Sequence, residues 1–228
     1  MGPFWGVFWD QFRFWPAVDG RGQVVPPADG WVFMWTLLLL FAWAIVVAIE
    51  RAWVFWRTLR VDYGALDRLV RPLLEERNWG RLLELWRALQ PRLVGRLGEA
   101  LTETYLKGAD LERMRAAAEA VLLEAAPRLE RRVRYLNTIA HVATLMGLAG
   151  TIYGLIVAFS GLGGAILPTA ERVAVLSRSI ATAMVTTMGG LMVAIPSFLA
   201  HSFLQHHLER RYDELEAFAT GLIERLLD

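Results

Sequence analysis

The sequence predicts an all-α integral membrane protein with three transmembrane helices, whose long helices extend into a helical cytoplasmic domain and which assembles into an oligomeric ring. Three observations predict this fold class. Three uncharged apolar runs match or exceed the roughly 20 helical residues that cross a bilayer core. Two of these runs carry small residues at alternating steps of four and three, a spacing typical of closely packed membrane helices. The remaining chain shows the leucine spacing of amphipathic helices and no β-type alternation.

Composition narrows the classes of function. The 228-residue chain is 55% hydrophobic and has a formal net charge of +1, so it lacks the basic surface of a nucleic-acid-binding protein. It contains no Cys, which rules out disulfides and Cys-ligated metal sites. The sequence also has no Gly-rich phosphate loop with a Lys, no HExxH and no GxSxG motif. We therefore expect no enzyme activity, no metal site and no cofactor.

Residues 1–30 are predicted to form a periplasmic N-terminal segment with an aromatic cluster. The segment lacks the basic start, aliphatic core and small-residue cleavage site of a signal peptide. Aromatic rings favour the headgroup layer, which predicts a short helix on the membrane surface. An arm that packs on a neighbouring subunit fits the cluster equally well. The cluster comprises Phe4, Trp5, Phe8, Trp9, Phe12, Phe14 and Trp15.

Residues 31–56 are predicted to form the first transmembrane helix and its interfacial end. The run from Trp31 to Ile49 is uncharged, and two Trp residues lie near each of its ends. Trp is enriched where a membrane helix meets the headgroups, so these residues serve as interface anchors. Glu50 and Arg51 follow the run, where a helix end meeting water is one of two equally weighted explanations.

Residues 57–135 are predicted to form a cytoplasmic helical domain. Asp110 is expected to cap a helix that runs through Ala116–Ala126, and Pro127 to kink or break it. Gly95 and Gly108 are expected to mark turns. One amphipathic helix face is predicted from Leu66, Leu69, Leu73 and Leu74. A second helix is predicted from Trp79, Leu82, Leu83, Leu85 and Trp86.

Residues 136–162 and 179–203 are predicted to form the second and third transmembrane helices, joined by a periplasmic loop over 163–178. Residues 204–228 are predicted to continue the third helix into the cytoplasm. This tail keeps large apolar residues near a heptad register, which indicates packing against neighbouring helices. Those residues are Leu204, Leu208, Leu215, Phe218, Leu222 and Leu226.

Small residues form a stripe on each of the last two spans. On the second span these are Ala140, Thr144, Gly147, Thr151, Gly154, Ala158 and Gly161. On the third they are Ala183, Thr187, Gly190, Ala194 and Ser197. In lipid, large apolar side chains do not drive helices together, because the lipid tails are equally apolar. Small residues let helix backbones approach closely, so such stripes mark where helices pack. Two stripes in one chain are more than a monomer satisfies, which predicts a closed ring.

The distribution of arginine predicts the orientation. Arginines cluster after the first span, before the second span and after the third span. The segments on the other side of the membrane carry few. Because basic residues stay on the cytoplasmic side, the N-terminus is predicted to be periplasmic and the C-terminus cytoplasmic.

The uncharged runs contain no Asp, Glu, Lys or Arg. An ion-driven machine needs a group within the membrane that binds and releases the ion, and this group is usually a carboxylate. If the chain conducts ions, a partner must therefore supply the acid.

Two segments of the last two spans resemble a known family. GLAGTIYGL (Gly147 to Leu155) and ATAMVTTMGGLMVAIP (Ala181 to Pro196) are similar to the core of the MotA/TolQ/ExbB proton-channel family, and most similar to the ExbB/TolQ branch. The resemblance implies a pentamer in the bacterial inner membrane around an ExbD/TolR-like dimer. By the same resemblance, each partner chain is expected to have a single span with an essential Asp, and proton flow past it to drive TonB- or TolA-like envelope proteins. Glu50–Arg51 resembles an acid–base pair of the ExbB branch.

The resemblance also implies that Thr151 and Thr187 line the ion path. Thr151 lies ten residues before Gly161, and Thr187 ten residues after Ser177, so each is predicted about 15 Å into the membrane, near its midplane. Thr182 stands where the ExbB branch often has Glu. Because hydroxyls and carbonyls suit either H⁺ or Na⁺, the conducted ion is expected to be one of these two.

Further candidates for the path or for tuning the lumen are Thr182, Thr186, Thr144 and His141. The residues expected to serve helix packing are Gly147, Gly150, Gly154, Gly190, Ala194 and Pro196. The threonine and histidine candidates also have explanations that involve no ion path. A membrane threonine commonly donates to a carbonyl of its own helix and only packs, and a histidine at a span end commonly sits at the interface. A structural membrane scaffold without an ion path is the alternative function.

Overall fold

The computed structural model describes residues 3–13, 17–18, 24–25, 30–58, 61–163 and 169–227. Its elements are α1 (Pro3–Asp10), β1 (Ala17–Val18), β2 (Val24–Val25), α2 (Trp31–Thr58), α3 (Tyr63–Glu75), α4 (Trp79–Ala88), α5 (Leu93–Leu106), α6 (Leu111–Gly163) and α7 (Thr169–Leu227). The two strands are two residues long each and pair antiparallel. The described residues are otherwise almost entirely helical, which confirms the all-α prediction.

Three helices, α2, α6 and α7, are long and apolar enough to cross a membrane, as predicted. Helices α6 and α7 continue far beyond the length that a bilayer needs, with 53 and 59 residues. Of the two alternatives at Pro127, the break is wrong, because α6 runs through this residue without interruption, and the kink stays a prediction. A proline removes only one backbone donor, and the helix is held by buried residues on both sides, Ala125 and Val133.

The chain divides into two compact units. The first comprises Met1–Val47 and Tyr135–His201, and the second comprises Ala48–Arg134 and Ser202–Asp228. In the first unit, α2 buries one stripe of residues at helical spacing and exposes the rest. The buried stripe is Met34, Leu37, Ala44 and Val47.

The turn that follows α1 packs on α2 of the same chain, an arrangement that the sequence did not predict. Phe8 and Gln11 are buried. The Phe12 ring meets the Trp35 ring edge-on at 6.1 Å, and the Trp35 indole N–H donates to the Phe12 carbonyl at 3.0 Å. Trp9 stays 59% exposed, so an aromatic surface remains for the interfacial location that the sequence predicts. Phe14 and Trp15 lie outside the described residues.

The second unit is a helical domain around a buried tryptophan. Trp86 is fully buried, and its indole N–H donates to the Thr102 hydroxyl at 3.1 Å. Gly98 lies against the Trp86 ring, where a Cβ would come within 2.3 Å of a ring atom. The C-terminal part of α7 packs into this core, as its heptad pattern indicates. Its buried leucines here are Leu215, Leu222 and Leu226.

Helix boundaries in the second unit follow local capping chemistry. Asp110 caps α6, because its carboxylate accepts from the Arg113 N–H at 3.1 Å, as predicted. Gly108 adopts a φ of +74° after α5 and marks the predicted turn. The turn predicted at Gly95 is wrong: this residue is within α5, packed against the Trp86 carbonyl. Leu69 also differs from its prediction, since it is 58% exposed while Val70 takes the buried position.

Candidate functional site

Helices α6 and α7 approach each other through glycine in the first unit. A Cβ on Gly147 would lie 3.2 Å from the Gly190 Cα and 3.2 Å from the Thr187 Cα. A Cβ on Gly190 would lie 2.7 Å from the Ala143 carbonyl oxygen. These are contacts with backbone atoms, which cannot rotate away as a side chain does. Only residues without a side chain permit this separation between the helices.

The same close contact continues along α6. A Cβ on Gly150 would lie 2.5 Å from the Thr186 Oγ1, and one on Gly154 would lie 3.0 Å from the Ser179 carbonyl oxygen. Ala194 is buried on α7, whereas Pro196 is exposed in this chain. Five of the six predicted packing residues therefore lie on the buried faces of α6 and α7.

The hydroxyl of Thr187 crosses from one helix to the other. Its Oγ1 donates to the Gly147 carbonyl oxygen at 3.2 Å, and the side chain is half-buried. This bond depends on the short separation that the glycines permit. Because the hydroxyl uses its hydrogen on Gly147, its oxygen lone pairs remain as acceptors.

Thr151 lies one helical turn beyond Gly147, about 6 Å along α6. Its Oγ1 donates to the Leu148 carbonyl oxygen of its own helix at 2.6 Å, and the side chain is also half-buried. Each threonine is therefore half-buried, between the buried face of its helix and the exposed residues beside it. The exposed apolar residues of these two helices include Leu148, Leu155, Met184 and Leu191.

Thr182 and Thr186 have a different environment. Thr182 is 3% exposed and Thr186 is fully buried. Their methyl carbons lie 2.9 and 3.3 Å from the position that a Cβ on Gly30 would take. The Thr186 hydroxyl donates to the Ala183 carbonyl oxygen at 2.9 Å. Both side chains thus face the interior of the unit, where they pack between helices rather than border the exposed surface.

Thr144 and His141 lie on the exposed side of α6. The Thr144 hydroxyl donates to the Ala140 carbonyl oxygen at 3.0 Å, one turn earlier in the same helix. The His141 Nδ1 lies 2.8 Å from the Asn137 carbonyl oxygen, and its ring meets the Phe198 ring edge-on at 5.1 Å. The hydroxyl of Thr144 thus bonds within its own helix and does not reach across to α7.

Sequence reasoning missed Gln11. Its side chain is buried, and its Oε1 has no hydrogen-bond partner among the residues that the structure describes. It lies beside Gly30, where a Cβ would come within 2.9 Å of this oxygen. A single Gln within an aromatic segment carries no pattern that would have indicated its burial. Within the described ranges, no group of three His, Asp or Glu residues is arranged to hold a metal ion.

Comparisons with known proteins point to one family. The model of the MotA/TolQ/ExbB proton channel family matches residues 90–217. "Putative biopolymer transport protein ExbB-like 1" of Synechocystis sp. is 32% identical over 198 residues, which cover 85% of this chain and 74% of that protein. "Tol-Pal system protein TolQ" of Haemophilus influenzae is 42% identical over 76 residues, 33% of this chain and 32% of that protein. "Biopolymer transport protein exbB1" of Vibrio cholerae is 26% identical over 187 residues, 80% of this chain and 78% of that protein.

Proposed function

Because this chain belongs to the MotA/TolQ/ExbB proton channel family, we propose that it is the ion-conducting subunit of a motor complex in the bacterial inner membrane. The family consists of channel and energy-transducing proteins, not enzymes. In the proposed complex the chain forms a ring, by resemblance a pentamer. The ring surrounds an ExbD/TolR-like dimer and uses the proton or sodium motive force to drive a TonB- or TolA-like protein.

The need for a partner follows from the charges of the chain. The apolar parts of α2, α6 and α7 that could cross the bilayer hold no carboxylate. A hydroxyl binds water and relays a proton, but it does not store one at physiological pH. A membrane carboxylate on a partner helix would supply the binding and release of the ion.

The observation that carries the proposal is the Thr187 hydroxyl, which donates to the Gly147 carbonyl across the α6–α7 contact. Thr151 lies one turn beyond Gly147 on α6 and is likewise half-buried. Both hydroxyls keep acceptor lone pairs next to an otherwise apolar exposed surface. A protonated carboxyl or a water molecule on that surface would find hydroxyl acceptors at these two residues.

Replacing the two hydroxyls tests this proposal. Thr151→Val and Thr187→Val keep the side-chain volume and remove the oxygen, so we expect both variants to assemble with the partner and to lose ion-driven activity. Thr144→Val is the matched control, because Thr144 has the same bond to its own helix but lies about two turns from Thr151. We expect it to be milder.

The measurements are a partner pull-down and an ion-driven transport or motility assay on the same preparations. Full activity of both Val variants in an intact complex would show that the threonines only pack.

A structural membrane scaffold is the second candidate function. The glycine contacts between α6 and α7 favour it, since they hold the helices together without needing a path. A genomic neighbour that encodes one membrane span with an Asp, followed by a periplasmic domain, would support the motor. The lack of such a partner in co-purification would support the scaffold.

A further inference from the structure

Helix α3 ends in a turn that places an arginine where glycine is usual. The Asn78 N–H donates to the Leu73 carbonyl at 3.0 Å, and the Arg77 N–H donates to the Leu74 carbonyl at 3.0 Å. This pair of bonds is the Schellman motif, whose penultimate residue adopts a left-handed conformation. Arg77 has that conformation, with a φ of +51°. An arginine there is less stable than glycine, so helix termination does not explain the choice of residue.

The Arg77 side chain lines a groove of about 480 Å³ in the second unit, together with Arg71 and Arg225. Arg71 makes an exposed ion pair with Glu75 at 3.2 Å, and Arg225 pairs with Asp67. Three guanidinium groups thus share one groove, and the carboxylates of Glu75 and Asp67 pair with two of them, so these five groups carry a net charge of +1. This balance attracts anions, and guanidinium groups bind phosphate through two parallel hydrogen bonds.

Two aromatic rings form the wall of the same groove. Trp79 and Tyr105 both line it, and their ring centroids are 5.2 Å apart. Both side chains are half-buried, so the rings are anchored in the domain while part of their surface faces the groove. Aromatic faces beside arginines are suited to ligands that combine a planar base with phosphates.

We propose that this groove binds a nucleoside polyphosphate on the cytoplasmic domain. The phosphates contact Arg71, Arg77 and Arg225, and the base stacks on Trp79. The groove volume lies within the 300–1,000 Å³ typical of small-molecule sites. The site lies entirely in the second unit and uses none of the residues assigned to the ion path. The proposed nucleotide site is therefore separate from the proposed ion path.

Isothermal titration calorimetry of the full chain in detergent tests the proposal. The probes are ADP, pyrophosphate and adenosine. We expect ADP to bind about tenfold or more tightly than pyrophosphate, because stacking adds to the phosphate contacts, and adenosine to bind much more weakly than ADP. Equal affinities for ADP and pyrophosphate would overturn the base contact. No heat with ADP at millimolar concentration would overturn the whole site.

The Arg77→Gly variant distinguishes a loss of ligand binding from a loss of folding stability. Glycine suits the left-handed turn, so this variant is expected to unfold at the same temperature or higher. It should bind ADP about tenfold or more weakly, because one charge-assisted contact is lost. Arg115→Gln is the matched control: it removes one exposed positive charge of the same unit from a different groove. Unchanged affinity in Arg77→Gly, or an equal loss in both variants, would contradict the proposal.

Discussion

Replacing Gly190 with alanine tests how closely α6 and α7 must pack. The new Cβ would lie 2.7 Å from the Ala143 carbonyl oxygen, and ordinary contact begins near 3.4 Å. The helices must therefore separate by roughly 0.7 Å at this point. Overpacking of this kind costs about 1–3 kcal/mol. For a chain of this length, each kcal/mol lowers the unfolding temperature by about 2–4 °C, so we expect a fall of about 2–12 °C.

The neighbouring residue provides a matched control. A Cβ on Gly189 would meet the flexible Met34 side chain at 3.3 Å, which can move aside, so Gly189→Ala should change the unfolding temperature little. Gly221, on the same helix, has open space around it, and Gly221→Ala should stabilise α7 by up to about 1 kcal/mol. Thermal unfolding followed by far-UV circular dichroism measures all three variants. If Gly190→Ala is as stable as Gly189→Ala, the close contact does not exist as described.

Three further predictions concern the Tyr212 hydroxyl, the distribution of arginine and the ring that the family resemblance implies. Burial and the nearby Glu130 carboxylate raise the pKa of Tyr212 to about 12. The folded state therefore favours the neutral phenol, and stability that is present below pH 10 is lost as the pH rises from 10 to 12. Tyr212→Phe should lose less stability over that range in unfolding scans, and at neutral pH it should be no less stable, since this buried hydroxyl has no partner among the described residues. Cysteines introduced at Ala17 and Ala165 should react with a membrane-impermeant thiol reagent added from the periplasm, while one at Ala88 should not; the reverse pattern would invert the topology. Native mass spectrometry in mild detergent should detect a closed oligomer, and monomers alone would count against the ring.

The sequence predicted the number and type of the helices well, because these depend on local composition and periodicity. Uncharged length predicted the three membrane helices, and the Asp110 cap was predicted from a single side chain. The break at Pro127 and the turn at Gly95 were wrong for the opposite reason. A local preference for a break was overridden by packing along the rest of the helix, which the sequence around one residue does not reveal.

For the candidate site, the sequence predicted the packing faces of α6 and α7, while the ion-path role of the threonines stays a prediction. Small-residue spacing indicated which faces meet, but it could not tell an edge position from a central one, because both follow the same steps of three and four. Thr187 and Thr186 are adjacent in sequence, yet one is half-buried and bonds across to α6, and the other is fully buried. A rotation of about 100° per residue separates the two environments. The turn at Arg77 lay beyond sequence reasoning altogether, since arginine gives no signal of a left-handed conformation.

The packing glycines and the candidate ion-path hydroxyl depend on one another. Thr187 reaches the Gly147 carbonyl at 3.2 Å only because Gly190 lets the helices approach. A separation of roughly 0.7 Å would take that bond beyond hydrogen-bond range. The freed hydroxyl would then turn back to a carbonyl of its own helix, as Thr151 does already. In an ion-path subunit, loosening this contact therefore reorients the polar group itself, whereas in a scaffold it changes stability alone.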